Sequence, residues 1–203
     1  MTRVKVCGLT DAEEVAACVA AGADALGFIF GVGPRAVSVE TASALTAAVP
    51  PFVTTVGVFA NPDAALVQAA IGACRLDVLQ FSGDEAPDFC GSFGKPTIIS
   101  AGERMPTANE LSVARAVGVL ADSRLPGTYG GTGVALPFGI ARALRSAVGR
   151  CFVLAGGLTP ETVAEAIRAV RPDAVDVRTG VERNERKNPA LVRAFVNAAR
   201  SAL

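Results

Sequence analysis

The chain contains no histidine. That removes imidazole as acid, base or metal ligand, so any proton transfer must use cysteine, carboxylate, lysine or the single tyrosine. A disulfide framework is missing too. The five cysteines (Cys7, Cys18, Cys74, Cys90 and Cys151) are odd in number and form no CxxC pair, so they read as reduced thiols. No cysteine cluster makes up for the missing histidines, which disfavours zinc. An excess of either charge is absent as well: Lys+Arg and Asp+Glu both number 19, for a formal net charge of +0. Binding of nucleic acid through bulk charge is therefore excluded, since phosphate contacts need a basic excess. A polybasic membrane surface is excluded on the same ground. No basic, then apolar, then small-residue signal follows Met1, so the chain is expected to be cytoplasmic.

A membrane span is the next absence. Residues 15–34 are nearly all apolar, but Asp24 stands near their middle, where a charge costs about 2.5–3.5 kcal/mol on insertion scales. Gly22, Gly27, Gly31 and Gly33 punctuate the same stretch, which begins with helical periodicity and ends as a strand-like run. It reads as helix, turn and strand.

What is present is 203 residues, 51% hydrophobic, enough for one sizeable core. At roughly 150 residues per domain as a soft prior, the expectation is a single domain over 1–203. Short apolar runs at 4–7, 25–30, 53–59, 77–81, 97–100, 117–121, 152–155 and 174–177 predict eight strands. Helix-starting signals lie between them. Thr10 with Glu13 and Thr107 with Glu110 have capping-box spacing, and Asn61-Pro62, Thr159-Pro160 and Asn188-Pro189 pair a cap with a proline. Helices are also predicted at 39–49 and 138–147, with a weaker one at 85–92.

Eight short uninterrupted strands, each followed by a helical candidate, match a compact α/β (β/α)8 TIM barrel. A doubly wound open sheet is the alternative that periodicity leaves open. In a barrel, Asp24, Asp77 and Asp173, each just before a strand, fall on the bottom face, where stability is the better reading.

Chemistry in such a barrel sits at the C-terminal ends of the strands. Gly156-Gly157 after strand 7 and Thr179-Gly180 after strand 8 occupy the usual phosphate loops, where glycine lets backbone N–H groups approach an anion. Their plain alternative is tight βα turns. Val181-Glu182 extends the second loop toward a short extra helix. The run Gly130-Gly131-Thr132-Gly133 is weaker, a loop or a mobile lid. Cys7 and Asp122 end strands 1 and 6 and are the catalytic candidates. Their alternatives are a small buried hydrophobe and a turn residue; Cys18, Cys74, Cys90 and Cys151 receive the buried-hydrophobe reading outright. Arg35, after strand 2, is the candidate anchor for a substrate carboxylate and the cation expected to favour a Cys7 thiolate.

Several stretches, in this order, resemble the phosphoribosylanthranilate isomerase family of tryptophan biosynthesis. They are Val4-Lys5-Val6-Cys7-Gly8-Leu9-Thr10, Gly27-Phe28-Ile29-Phe30, Pro34-Arg35, Val56-Gly57-Val58-Phe59, Leu79-Gln80 and Gly83-Asp84. Asp122-Ser123, Gly130-Gly131-Thr132-Gly133, Leu154-Ala155-Gly156-Gly157-Leu158, Asp176-Val177 and Gly180-Val181-Glu182 complete the series.

The resemblance implies an Amadori rearrangement of a phosphorylated aminosugar, without metal or cofactor, by a monomer or homodimer. Asp122 resembles the general acid that opens the furanose, and Cys7 the base that removes the C2′ proton. Arg35 matches the residue beside the anthranilate carboxylate and Asp176 a residue near the ribose. Gly156, Gly157, Thr179 and Gly180 match phosphate-binding positions. Ser82, Val134, Pro137-Phe138 and Arg178 depart from the pattern, which has His, Lys, Asp-Trp and Ser there. Arg178 is expected on the outer rim, paired with Glu182 or Glu185. The competing readings are a dual isomerase that also serves histidine biosynthesis, against which Cys7 speaks because such enzymes carry Asp there, and a non-catalytic phosphosugar-binding barrel.

Overall fold

Strands short enough to be covered on both faces, separated by helices that each carry one apolar stripe, close here into a ring. The structure is a computed structural model that describes residues 1–101, 105–122 and 136–202. The strands are β1 Arg3–Cys7, β2 Ala25–Ile29, β3 Thr54–Phe59, β4 Val78–Phe81, β5 Thr97–Ala101, β6 Ala116–Ala121, β7 Cys151–Leu154 and β8 Ala174–Val177. They form a closed barrel in sequence order, each neighbouring pair parallel, with β8 returning to β1. The helices are α1 Ala12–Ala21, α2 Val39–Ala47, α3 Ala64–Ala73, α4 Pro87–Gly91, α5 Ala108–Val113, α6 Phe138–Ala147, α7 Val163–Val170 and α8 Pro189–Arg200. The open-sheet alternative is thereby ruled out.

Period-2 alternation sorts each strand between two cores. Outward-facing Val4, Leu26, Phe28, Phe59, Leu79, Phe152 and Val175 are fully buried against helix residues such as Val67, Ile167 and Phe195. Phe30, Phe59 and Phe81 stack in sequence, with ring centroids 5.1 and 5.9 Å apart. Inside the barrel, smaller clusters hold Val56 and Val58 beside Cys7, and Leu120, Val153, Ala155 and Ala174 on the other side.

The three bottom-face aspartates tie neighbouring strands together. The carboxylate before β2, β4 and β8 accepts the N–H of a residue in or at the start of the preceding strand: Val4 to Asp24, Thr55 to Asp77 and Phe152 to Asp173, each at 2.8 Å. No aspartate precedes β6. There, Thr97 of β5 instead donates its N–H to the Arg115 carbonyl and its hydroxyl to that of Ala114.

Some boundaries move. Asp11, not Thr10, caps α1 by accepting the Glu14 N–H at 2.9 Å, while Thr10 donates its own N–H to the Glu14 carboxylate. Asp63, not Asn61, caps α3. Asn61 adopts a left-handed backbone (φ 49) and accepts the Asp84 N–H, tying the loop after β3 to the loop after β4. Thr159-Pro160 begins a turn, and α7 starts at Val163. The Thr107–Glu110 capping box forms as expected, and Asn188 caps α8. Cys18, Cys74 and Cys90 are buried, but Cys151 is exposed, because it opens β7 at the bottom rim. Ser123, the 130–133 glycine run and Val134 lie outside the described residues.

Candidate active site

Cys7 is the last residue of β1, and Lys5 lies two residues earlier on the same inward face. An unpaired charge there would be costly, and Lys5 is paired. Its register partner on β8 is Asp176, whose Oδ1 lies 2.8 Å from Lys5 Nζ. Gly27 on β2 makes the room: a Cβ there would stand 2.9 Å from Cys7 Sγ and 3.2 Å from Lys5 Nζ. Burial pushes the Cys7 thiol up from its ordinary range, and the nearby Lys5 pulls it part of the way back by charge and hydrogen bond. Burial likewise acts to lower Lys5, but Asp176 and Cys7 outweigh it, so the ammonium is held charged.

The cation at the thiol is therefore Lys5, which corrects the expectation placed on Arg35. The Arg35 guanidinium is turned to the loops around it. Nε donates to the Gly8 carbonyl at 2.9 Å, Nη2 to Glu14 at 2.5 Å, and Nη1 to the Glu185 carbonyl. Glu14 also accepts the N–H groups of Thr10 and Lys187. Burial raises this carboxyl, but Arg35 and those N–H donors prevail and hold it below its ordinary range.

After β8, Thr179–Val181 forms one 3-10 turn, and Glu182–Arg183 pairs with Arg186–Lys187 in a small antiparallel hairpin, β9 and β10. Lys187, with its side chain wholly buried, donates to Glu182 at 2.6 Å and to the Arg178 carbonyl at 2.9 Å. Burial pushes its ammonium down against the pull of Glu182. The loops after β1, β2 and β8 are thus fastened by one network of buried charges.

Gly156 and Gly157 take left-handed backbone (φ 83 and 61). A Cβ on Gly180 would overlap the Leu158 carbonyl, so the close approach of the loops after β7 and β8 itself requires that glycine.

A cavity of about 280 Å³ opens at this end of the barrel. Its lining includes all of Cys7, Arg35, Asp122, Gly156, Gly157, Asp176, Thr179 and Gly180. Arg178 is among its lining residues too, while the Glu182 carboxylate is engaged by Lys187 and lies 3.8 Å from Arg35. Sequence reasoning missed Lys5 as part of the site. A charge two residues before Cys7 in a buried strand was the signal that could have found it. It also missed Glu14 and Lys187, whose burial depends on the hairpin and has no local signature.

Residues 4–198 match the sequence family described as N-(5'phosphoribosyl)anthranilate (PRA) isomerase. This chain belongs to that family. A PRA isomerase of Moorella thermoacetica is 43% identical over 204 residues, covering 100% of this chain and 91% of the relative. The crystal structure of phosphoribosyl anthranilate isomerase from Thermus thermophilus superposes with a TM-score of 0.86 at 34% identity, covering 100% of both chains. Another PRA isomerase structure, with reduced 1-(o-carboxyphenylamino)-1-deoxyribulose 5-phosphate bound, gives 0.82 at 31% identity over 98% of this chain and 99% of that one. Among the described residues, no helix is long and apolar enough to cross a membrane.

Proposed function

We propose that this PRA isomerase family member converts N-(5-phosphoribosyl)anthranilate into 1-(2-carboxyphenylamino)-1-deoxyribulose 5-phosphate by an acid–base Amadori rearrangement, in tryptophan biosynthesis. The observation that carries this reading is the convergence of Cys7 from β1 and Asp122 from β6 on one cavity whose rim also holds the loops after β7 and β8.

The substrate phosphate sits at Gly156, Gly157, Thr179 and Gly180, where backbone N–H groups serve an anion. Asp122 gives its proton to the furanose oxygen as the C1′–O bond breaks, and the nitrogen lone pair forms the C1′=N bond of a protonated Schiff base. Cys7, as thiolate, removes the C2′ proton. The freed electrons make the C1′=C2′ bond and neutralise the nitrogen, giving an enolamine that tautomerises to the ketone. Asp176 sits beside the ribose and holds Lys5 in place, and Arg35 offers the anthranilate carboxylate the guanidinium N–H groups left over by its bonds to Gly8, Glu14 and Glu185. The reading is of a single-domain cytoplasmic enzyme, monomer or homodimer, needing no metal or cofactor. Balanced charge and acid–base residues at the mouth support it.

Turnover decides the matter. The purified chain is expected to consume N-(5-phosphoribosyl)anthranilate and release the ketose. A folded protein that binds the reduced product analogue but turns over no substrate would instead be a phosphosugar-binding barrel.

A further inference from the structure

Gln80 points from β4 into the barrel and lines the cavity, only 4% exposed. Its Nε2 donates to Ser82 Oγ at 3.0 Å, and Ser82 Oγ lies 2.9 Å from Ser100 Oγ on β5. Its Oε1 is buried and has no hydrogen-bond partner among the described residues. The register partners on either side, Val58 and Ile98, have no polar side-chain atom to offer. A buried carbonyl left unmatched is costly, and on a residue that lines a binding cavity it marks where a donor can be received.

The serine pair decides which end of the amide faces inward. If Ser82 gives its proton to Ser100, its lone pair remains for Gln80 Nε2, and the amide keeps its oxygen turned away from the serine pair. Without Ser100 the Ser82 proton is released, and the amide can turn over to present a donor instead.

β4 stands opposite β8 in the ring of eight strands. A substrate anchored by its phosphate after β7 and β8 crosses the mouth and brings its other end toward Gln80. We propose that Gln80 Oε1 accepts a hydrogen bond from the bridging N–H of the substrate, with Ser82 and Ser100 as positioning residues that fix the amide. This rests on the rearrangement proposed above. The N–H is neutral in the substrate and in the product but belongs to a cation in the ring-opened Schiff base. Charge-assisted bonds are roughly twice as strong as neutral ones, so the contact favours the intermediate whose C2′ proton is lost.

The test compares Gln80→Met, Gln80→Glu and Ser100→Ala with the unmodified enzyme, using the reduced product analogue labelled with 15N at the bridging amine. Gln80→Met is expected to lower kcat about tenfold or more while affinity for the neutral analogue stays within about threefold. Gln80→Glu, which keeps an acceptor, restores kcat to within about threefold, and Ser100→Ala falls between. The amine N–H resonance of the bound analogue is expected to move upfield in Gln80→Met. Equal kcat in Gln80→Met and the unmodified enzyme, or an unmoved amine resonance with a loss of kcat, overturns the assignment; the second result would transfer the contact to a ribose hydroxyl. If the unmodified enzyme does not turn over substrate, the rearrangement itself is what fails.

Discussion

Lys5 and Asp176 face each other across the seam where β8 closes onto β1, with 2.8 Å between Nζ and Oδ1. The pair lies two residues below Cys7, so a cation and its counter-ion stand where a buried thiol must lose its proton. Burial works against that loss and Lys5 works for it.

This sets a pH dependence. In the proposed rearrangement Cys7 serves as a base only as thiolate, and its thiol is held above its ordinary range, so at neutral pH most of the enzyme carries the thiol. Below the thiol's pKa the thiolate fraction grows about tenfold per pH unit, so kcat/KM should still be rising at about pH 8. Lys5→Met removes the opposing cation and leaves Asp176 unneutralised. Both changes push the thiol further up, so the rising limb should move to higher pH. Profiles of kcat/KM against pH for the two proteins check this, and superimposable limbs would remove Lys5 from the tuning of Cys7.

Cys7→Ser and Asp122→Asn should each lower kcat by at least about 10²-fold, the scale of general acid–base catalysis. Neither change touches the loops after β7 and β8 that are proposed to hold the phosphate, so affinity for the reduced product analogue should change far less. Near-normal kcat in either variant would reassign that residue.

Arg35 has two separable roles to test. It faces the cavity, and it neutralises the buried Glu14 carboxylate. Arg35→Met should raise KM for the full substrate, leave the affinity for inorganic phosphate nearly intact, and destabilise the fold by about 3 kcal/mol as a broken buried pair. Adding Glu14→Gln removes the stranded charge and should return much of that stability. KM should stay high if Arg35 holds the anthranilate carboxylate. A KM that recovers along with stability would make Arg35 a strut alone.

On the opposite face, Asp24 is a structural residue. Asp24→Ala deletes the acceptor of the Val4 N–H and should cost about 1–2 kcal/mol in urea unfolding. With the mouth of the barrel untouched, kcat should stay within about twofold of the parent. A large fall in kcat would show that the bottom face is coupled to the site.

The barrel was legible because every strand is a short apolar run and most begin or end on a local signal: Asp24, Asp77 and Asp173 below, Cys7, Asp122 and the glycines above. The residues named from strand ends do meet at one cavity, since parallel strands in one ring must all point their C-terminal ends the same way. What escaped notice depends on contacts far apart in sequence. Lys187 N–H reaches Glu14 across 173 positions, and Lys5 meets Asp176 across 171. Asn61 looked like a helix cap because it precedes a proline. Asp63 takes that position, and Asn61 turns to the next loop.

Arg178 directly precedes Thr179-Gly180, the loop proposed to hold the substrate phosphate. Arg178 is among the residues that line the cavity, with Thr179 and Gly180; its Cδ lies 3.5 Å from where a Gly8 Cβ would be, and its carbonyl is gripped by Lys187. The Glu182 carboxylate is paired with Lys187 at 2.6 Å. If the Arg178 guanidinium reaches the substrate phosphate, it adds a charge-assisted donor to backbone N–H groups, and such bonds are about twice as strong as neutral ones. Arg178→Ser should therefore raise KM about tenfold, equivalent to about 1.4 kcal/mol, with kcat nearly unchanged because the phosphate does not react. Inorganic phosphate should weaken as an inhibitor by a similar factor, and the loss should shrink as ionic strength rises. A KM within about threefold of the parent would show that the backbone cradle is sufficient and that Arg178 serves the rim.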